Sequence, residues 1–295
     1  MRARLVSIAS RYKYSSDLGA LFGAIDGQKF AAATPTAKAR HSRKYFGRER
    51  GVVAFTSLTN HVATLTNLIG AHEHESHYVF DLCYHNTTDI ASTIITGDMH
   101  SINKMNFAAM YWFEMDFAPR FTNLQAQLKH LFCGDDIEQY DNFLIKPAGQ
   151  IDLLAICDDP CVFEQIIASL SVKEMSQQAL VRKLCALSPR HRTRRAVFEF
   201  DKLVRSIYTL RYMRDPQLQR NVHRSQNRIE AYHALRGFIA EVSGRKHLIG
   251  KTDHDIAINN ECGRLLANVV TAFNSVLLSQ LNATNGREMR RRSRC

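Results

Sequence analysis

The stretch that most constrains what this chain can fold into is TIITGDMHS, residues 93 to 101. Thr93, Ile94, Ile95 and Thr96 form a short apolar, β-branched run that reads as a buried strand. The run closes on Gly97-Asp98, which puts a carboxylate at the strand's mouth. A small residue followed by an acid at a strand end is where α/β proteins seat chemistry, because the sheet fixes the side chain and the edge opens onto a cleft. The other reading is that Asp98 only caps a helix starting near Ser101. Which reading holds depends on the company Asp98 keeps.

The 295 residues are 45% hydrophobic and 23% charged, ordinary for a folded soluble protein. No apolar run approaches the roughly 20 residues that span a bilayer, and the N-terminus lacks the apolar core of a signal peptide, so no membrane is expected. Seven cysteines (83, 133, 157, 161, 185, 262 and 295) are scattered and odd in number, which fits reduced thiols in a cytosol. Cys157 and Cys161 are the only close pair, and no second pair at finger spacing accompanies them. The net charge of +11 is concentrated. From Lys173 to Arg228, fourteen Lys and Arg stand against Glu174, Glu199, Asp201 and Asp215. Such a stretch favours a polyanion partner through counterion release; a solvated helical face is the alternative.

Residues 1 to 17 are basic and polar. Leu21 to Ile25 reads as a buried strand ending in Asp26-Gly27, taken as a turn, with Lys29 to Ala33 returning as a hairpin partner. After a basic, turn-rich segment (34 to 50), Gly51 to Thr59 is a third strand by its Val, Phe and Thr content. Glu73 to Tyr84 places Tyr78, Val79, Leu82 and Cys83 on one helical face. The histidines of AHEHESH do not have His-Glu-x-x-His spacing, since Ser76 stands four after His72, and they read as polar-face residues. The Asp98 strand follows, then a helix from about Asn103 to Phe113 and a short strand at Ala118 to Phe121. Residues 122 to 205 are mostly helical and increasingly basic, and read as an insertion. The order of strands and helices, with acids closing the first and fourth strands, is that of an RNase H-like core.

Beyond the insertion, Asp215 to Glu241 reads as a helix with Pro216 in its first turn and Asp215 as its cap. Leu218, Val222, Ile229 and Tyr232 share an apolar stripe, with Glu230 on its flank, and Arg220, Arg224 and Arg228 line a separate face. No Lys or Arg stands four residues either side of Glu230, so no local ion pair explains it. A last helix, about Ile256 to Leu281, shows an apolar period in Leu265, Leu266, Val269, Val270 and Phe273, and the Arg-rich end is a short basic tail.

Three acids thus stand out: Asp26, Asp98 and Glu230. Phosphodiester chemistry must ionise a water or a 3′-hydroxyl and offset charge on a pentacoordinate phosphate. Two divalent ions held by clustered carboxylates do both.

Several stretches then become recognisable: IDGQKF (25–30), KYFGRERGVVAF (44–55), GAHEHESHYVFDLCYHNTTDI (70–90), IITGDMHSIN (94–103), FAPRF (117–121), FEFDKLVRSIYTLRYMRD (198–215) and LQRNVHRSQNRIEAYHALRGFIA (218–240). They resemble the catalytic domain of transposases of the Tn3 family of bacterial replicative (class II) transposons. The resemblance implies an α/β protein: an RNase H-like core, a mixed sheet with flanking helices, over residues 18–121 and 206–281. A helical insertion over 122–205 interrupts it and a basic tail, 282–295, follows. It implies DNA transposition by a DDE transposase: metal-dependent cleavage at transposon ends, then 3′-hydroxyl strand transfer into target DNA.

Carried over by position, the catalytic and metal-holding acids are Asp26, Asp98 and Glu230, with two Mg²⁺ as cofactor and Mn²⁺ able to substitute. Arg220, Arg224, Arg228, His100 and Lys44 are the expected DNA contacts, His100 either at the scissile phosphate or capping a turn. The implied partners are terminal inverted repeats and target DNA, with a homodimer allowed, in a bacterial cytoplasm near the nucleoid. Family members are several times longer, with N-terminal end-recognition regions expected to be missing here. An inactive or regulatory fragment that binds DNA without catalysis is therefore the alternative, and a nuclease of the same fold a second.

Overall fold

The computed structural model describes residues 21–292 apart from 91, 159, 243 and 245, and the side chains of Lys44 and of 284–292 fall outside it. The expectations for residues 1–17 and for the end of the tail therefore lie outside the described residues.

Strand β1 (Phe22–Ala32) is eleven residues long, followed by β2 (Arg40–His41), the short helix α1 (Arg43–Phe46), β3 (Arg50–Thr59) and β4 (Val62–Gly70). A 3₁₀ turn, Glu75–Tyr78, leads into α2 (Val79–Tyr84), then β5 (Ile94–Thr96), α3 (Asn106–Trp112) and β6 (Asp116–Phe117). The next segment holds α4 (Leu124–Leu128), a two-stranded parallel sheet of β7 (Phe132–Cys133) and β8 (Gly149–Gln150), α5 (Leu153–Cys157), α6 (Pro160–Ser171) and α7 (Gln177–Ala186). The long α8 (Arg192–Arg214) and α9 (Pro216–Glu241), the short β9 (His247–Leu248) and α10 (Asp253–Arg292) complete the chain.

The main sheet is mixed. β3 lies antiparallel between β1 and β4, β5 pairs parallel with β1, and β6 pairs parallel with β5. β2 extends the β3 edge at Arg40–His41, and β9 pairs with the far end of β1.

Period-two alternation sorts the strands between two cores. Ile25, Val53, Phe55 and Ile69 join the larger cluster, which includes Val79, Phe107 and Val197 of the helices on that side. On the other face, Ala24, Leu58 and Ala63 pack with Ile229 and Tyr232 of α9 and Ala267 of α10, and Phe30, Val52 and Leu68 pack with Ile256 of α10. A buried polar network joins the 122–205 segment to the core. The Gln177 side chain accepts from Phe80 N–H and bonds Asn106, and the Asp81 carboxylate accepts from Gln177 N–H.

Several boundaries differ from the sequence reading. Asp26-Gly27 is no turn, and Lys29 to Ala33 is no partner strand: β1 runs straight through both. The hairpin turn is Asn60-His61, both at positive φ (47° and 68°), joining β3 to β4, a strand the sequence reading passed over. Asn tolerates that conformation because its short polar side chain bonds locally. The helix expected over Glu73 to Tyr84 is α-helical only from Val79, and the strand expected at 118–121 lies at Asp116–Phe117.

The largest departure is α10. Its expected core face, Leu265, Leu266 and Phe273, is exposed, while its packed side carries Ile256, Asn260, Ala267 and Asn268. The reason is the edge of β4. The Asn268 amide accepts from Ala63 N–H (3.0 Å) and donates to Ala63 C=O (2.9 Å), and Arg264 also donates to that carbonyl (2.7 Å). An unpaired strand edge needs polar partners, so the helix covering it turns its polar side inward. The segment Asp253–Ala283 is also long and apolar enough to cross a membrane by length and composition, contrary to the expectation that no run would reach that size.

Candidate active site

Two neighbouring strands set the site. In the parallel pairing of β1 with β5, Ala24 stands opposite Thr96. Asp26 and Asp98 each lie two residues further on, so both side chains leave the sheet on the same side at its open end. Beyond Thr96 the chain leaves the strand, and Asp98 Oδ1 accepts from the N–H groups of His100 (2.9 Å) and Ser101 (3.2 Å). The capping role is real, although the capped element is a 3₁₀ turn, Met99–Ser101, rather than a helix. His100 belongs to that turn.

Asp26 Oδ1 accepts from Gly27 N–H (2.8 Å), and Oδ2 lies 3.5 Å from His233 Nδ1 of α9. Burial, then the charges of Glu75 and of Asp98, push the Asp26 carboxyl up to about 7, against the pull of the Gly27 N–H and of Lys29. Burial also lowers the His233 imidazole to about 4, so near neutral pH it is uncharged.

Glu75 is the acid that the sequence reading missed. Its carboxylate fills the space that the absent side chain of Gly27 leaves, on the opposite sheet face from α9, so any larger residue at 27 would collide with it. Gly27 serves this close approach rather than a turn. Burial raises Glu75 too, with Asp98 adding to it and Lys29 and His100 opposing. The signal lay inside AHEHESH, where attention to the histidines obscured the glutamate between them. His74 there caps the 3₁₀ turn at Ser76 instead of pointing to a metal.

Helix α9 forms as its sequence foretold. Asp215 caps it through the N–H groups of Gln217 and Leu218, Pro216 occupies its first turn, and Leu218, Val222, Ile229 and Tyr232 are buried. The helix crosses the site in successive turns. Gln226 donates to Thr96 Oγ1 (3.0 Å), Glu230 pairs with Arg120 (3.7 Å), and His233 meets Asp26. Arg120, of the FAPRF stretch, donates its backbone N–H to Gly97 C=O (2.7 Å), which seats it beside Asp98. Glu230 thus faces the region of the two aspartates through Arg120, with its side chain 61% exposed. A long-range partner replaces the local pair that its helical neighbours lack.

Of the other expected contacts, Arg220 is exposed and hydrogen-bonds Gln217. Arg228 is half-buried, and burial and the Arg224 charge lower its guanidinium; Arg228 in turn lowers His61 at the β3–β4 hairpin. The Lys44 side chain lies outside the described residues. A cleft lined by Ala32, Arg48, Arg50 and His247 opens at the other end of β1 and contains none of the acids.

Among the described residues, no group of three or more His, Cys, Asp or Glu is closed tightly enough to hold an ion. The donor chemistry nevertheless suits a hard divalent cation. Asp26, Glu75 and Asp98 are oxygen ligands crowded together at a cost in burial and repulsion that a bound cation would relieve.

An α/β domain with acids converging at the end of two parallel strands and on one crossing helix is the layout of a nucleic-acid-processing catalytic core. The chain matches the model of the Tn3 transposase DDE domain over residues 5–292, and it belongs to that family. It is 24% identical over 263 residues to the transposase for transposon Tn2501 of Escherichia coli, covering 86% of this chain and 26% of that one. It is likewise 24% identical over 218 residues to the transposase for transposon Tn4556 of Streptomyces fradiae (74% and 24%). With the transposase for transposon Tn501 of Pseudomonas aeruginosa it shares 22% identity over 211 residues (71% and 21%). The chain spans about a quarter of the length of these relatives. No solved structure matches it. Membership ties the chain to DNA transposition and to the divalent-metal chemistry general to such domains.

Proposed function

We propose that this chain is an RNase H-like DDE core that cleaves DNA at transposon ends and joins the freed 3′-hydroxyl to a target phosphodiester. The observation that carries this reading is the equivalent placement of Asp26 and Asp98 on paired parallel strands, with α9 bringing Glu230 to the Arg120 beside them. The strand order β4-β3-β1-β5-β6, with the first three antiparallel and the last two parallel to β1, supports the RNase H-like assignment. In this reading Asp26, Asp98 and Glu230 hold Mg²⁺, with Mn²⁺ as a substitute. The bound ions supply an ionised nucleophile and offset charge on the phosphorane.

The chain's own residues do the rest. His233, neutral beside Asp26, donates from Nδ1 and orients that carboxylate. Glu230 exchanges its hold on Arg120 for the reaction centre, leaving the guanidinium free for a phosphate oxygen. The Asp98 cap keeps one of its oxygens committed to the backbone and the other open. Arg220, Arg224 and Arg228 serve backbone phosphates, with Lys44 and His100 as further contacts.

The deciding experiment is strand transfer with precut transposon ends in Mg²⁺ or Mn²⁺. Joined product with the wild-type chain and none with Asp98→Asn supports the reading; cutting without joining indicates a nuclease instead. A second reading, a fragment that binds DNA without catalysis, is favoured by the chain's quarter-length span of its relatives. DNA binding with no cutting or joining would select it.

A further inference from the structure

Helix α10 is inside out, and the inverted face has a pattern of its own. On a 3.6-residue turn, Leu265, Leu266, Val269, Val270, Phe273, Val276, Leu277 and Leu281 form one stripe on the side away from the sheet. Leu265 is 53% exposed, Phe273 61% and Leu281 58%. The opposite side is tied to β4 by Asn260, Arg264 and Asn268. A stripe this long exceeds the scattered exposed apolar residues of a monomer surface and marks an interface.

The order of residues along the stripe selects the occupant. Taken outward from Phe273, Val270 answers Val276, Val269 answers Leu277, and Leu265 answers Leu281. An antiparallel pair of identical helices about a two-fold axis sets position 273 + k opposite 273 − k, so each large apolar residue meets another. Between Arg264 and Arg287 there is no charged residue. Two chains of net charge +11 can therefore meet along this helix without opposing like charges there. A membrane-spanning role would require the Asn268 and Arg264 bonds to the β4 edge to break, and those bonds hold the sheet's end.

We infer that the outer face of α10 is a self-association surface, on which a second copy of this chain packs antiparallel with Phe273 at the two-fold axis. The proposal is independent of the metal site, since it uses the opposite side of the helix from the one packed on the sheet. The register makes it specific: Val270 of one copy faces Val276 of the other.

The test is sedimentation velocity and light scattering of the full chain over a concentration series, with circular dichroism and thermal unfolding as checks on the fold. The wild type should reach twice the mass of one chain. Phe273→Asp, which sets two carboxylates against each other on the axis, should weaken association roughly thirtyfold or more. Leu278→Asp, exposed but off the stripe, should leave it unchanged. Val270→Glu and Val276→Lys should each weaken the dimer, and the double variant should regain it, because the new charges then pair across the axis. A monomer at every concentration, a dimer indifferent to Phe273→Asp, or a double variant no better than the singles would each overturn the proposal. Monomeric chain that floats with phosphatidylcholine vesicles, and loses this with Phe273→Asp, would also overturn it and assign the face to lipid.

Discussion

Asp26 and Asp98 stand at equivalent places on two neighbouring parallel strands, each two residues beyond the register pair Ala24 and Thr96. Burial together with Glu75 and Asp98 holds Asp26 up to about 7, from an ordinary 3.8. Between those values the unfolded chain loses the proton while the folded chain keeps it. Asp26 therefore makes the fold less stable as pH rises from about 4 to 7, with the full loss present above 7. His233, lowered to about 4, works in the opposite direction below its ordinary 6.5. The difference between wild type and Asp26→Asn isolates the Asp26 contribution. In chelator, urea unfolding from pH 5 to 8 should show the variant gaining on the wild type as pH rises. Added Mg²⁺ should stabilise the wild type more at pH 8 than at pH 5.5, because cation and proton compete. An equal metal effect at both pH values would remove Asp26 from the metal set.

Asp98→Asn separates capping from chemistry. The amide keeps an oxygen able to accept from His100 and Ser101, so the 3₁₀ turn and the fold should survive, while the charge needed to hold a cation is lost. Metal-dependent cleavage should disappear, and DNA affinity measured by fluorescence anisotropy should change little. Unaltered cleavage by the variant would leave Asp98 as a cap alone.

Glu75→Gln keeps the shape that fills the space over Gly27 but removes a charge beside Asp26. Supporting groups of this kind typically change metal affinity by about 10–100-fold. A shift of that size should be visible in Mn²⁺ binding followed by electron paramagnetic resonance, which reads the site without turnover. Wild-type affinity in the variant would assign Glu75 to packing only.

Basic residues on α9 set the salt dependence of DNA binding. Arg224 lowers Arg228, so like charges are gathered on this face, which an anion would relieve. The slope of log affinity against log salt should be about −0.9 for each phosphate neutralised on B-DNA. Replacing Arg220, Arg224 and Arg228 together by Ala should flatten it by up to about three units. The titration is best run on repeat-containing and scrambled duplexes. A hundredfold preference for repeats would show sequence readout within this chain, and an unchanged slope would move the DNA path elsewhere.

Asn268 closes the edge of β4 through both hydrogen bonds to Ala63. Its replacement by Ala leaves a buried N–H without that partner, at a cost of about 1–3 kcal/mol. Chemical denaturation should report a loss in that range. Stability equal to wild type would mean that the edge finds another partner.

Local pattern determined a good part of this protein. The run from Thr93 to Thr96 became a buried strand with Asp98 at its mouth, and the stripe Leu218, Val222, Ile229 and Tyr232 became the packed face of α9, because burial of a strand or helix face follows its own period. The tertiary structure decided what no window of sequence contains. Asp26 lies within a strand because Gly27 is needed for Glu75, 48 positions later, to approach. Glu230 finds Arg120 from another element, and α10 turns its apolar stripe outward because the β4 edge requires polar partners. Periodicity tells which side of a helix is apolar. Which side is covered depends on the backbone groups it must satisfy, and here these lie about 200 residues away.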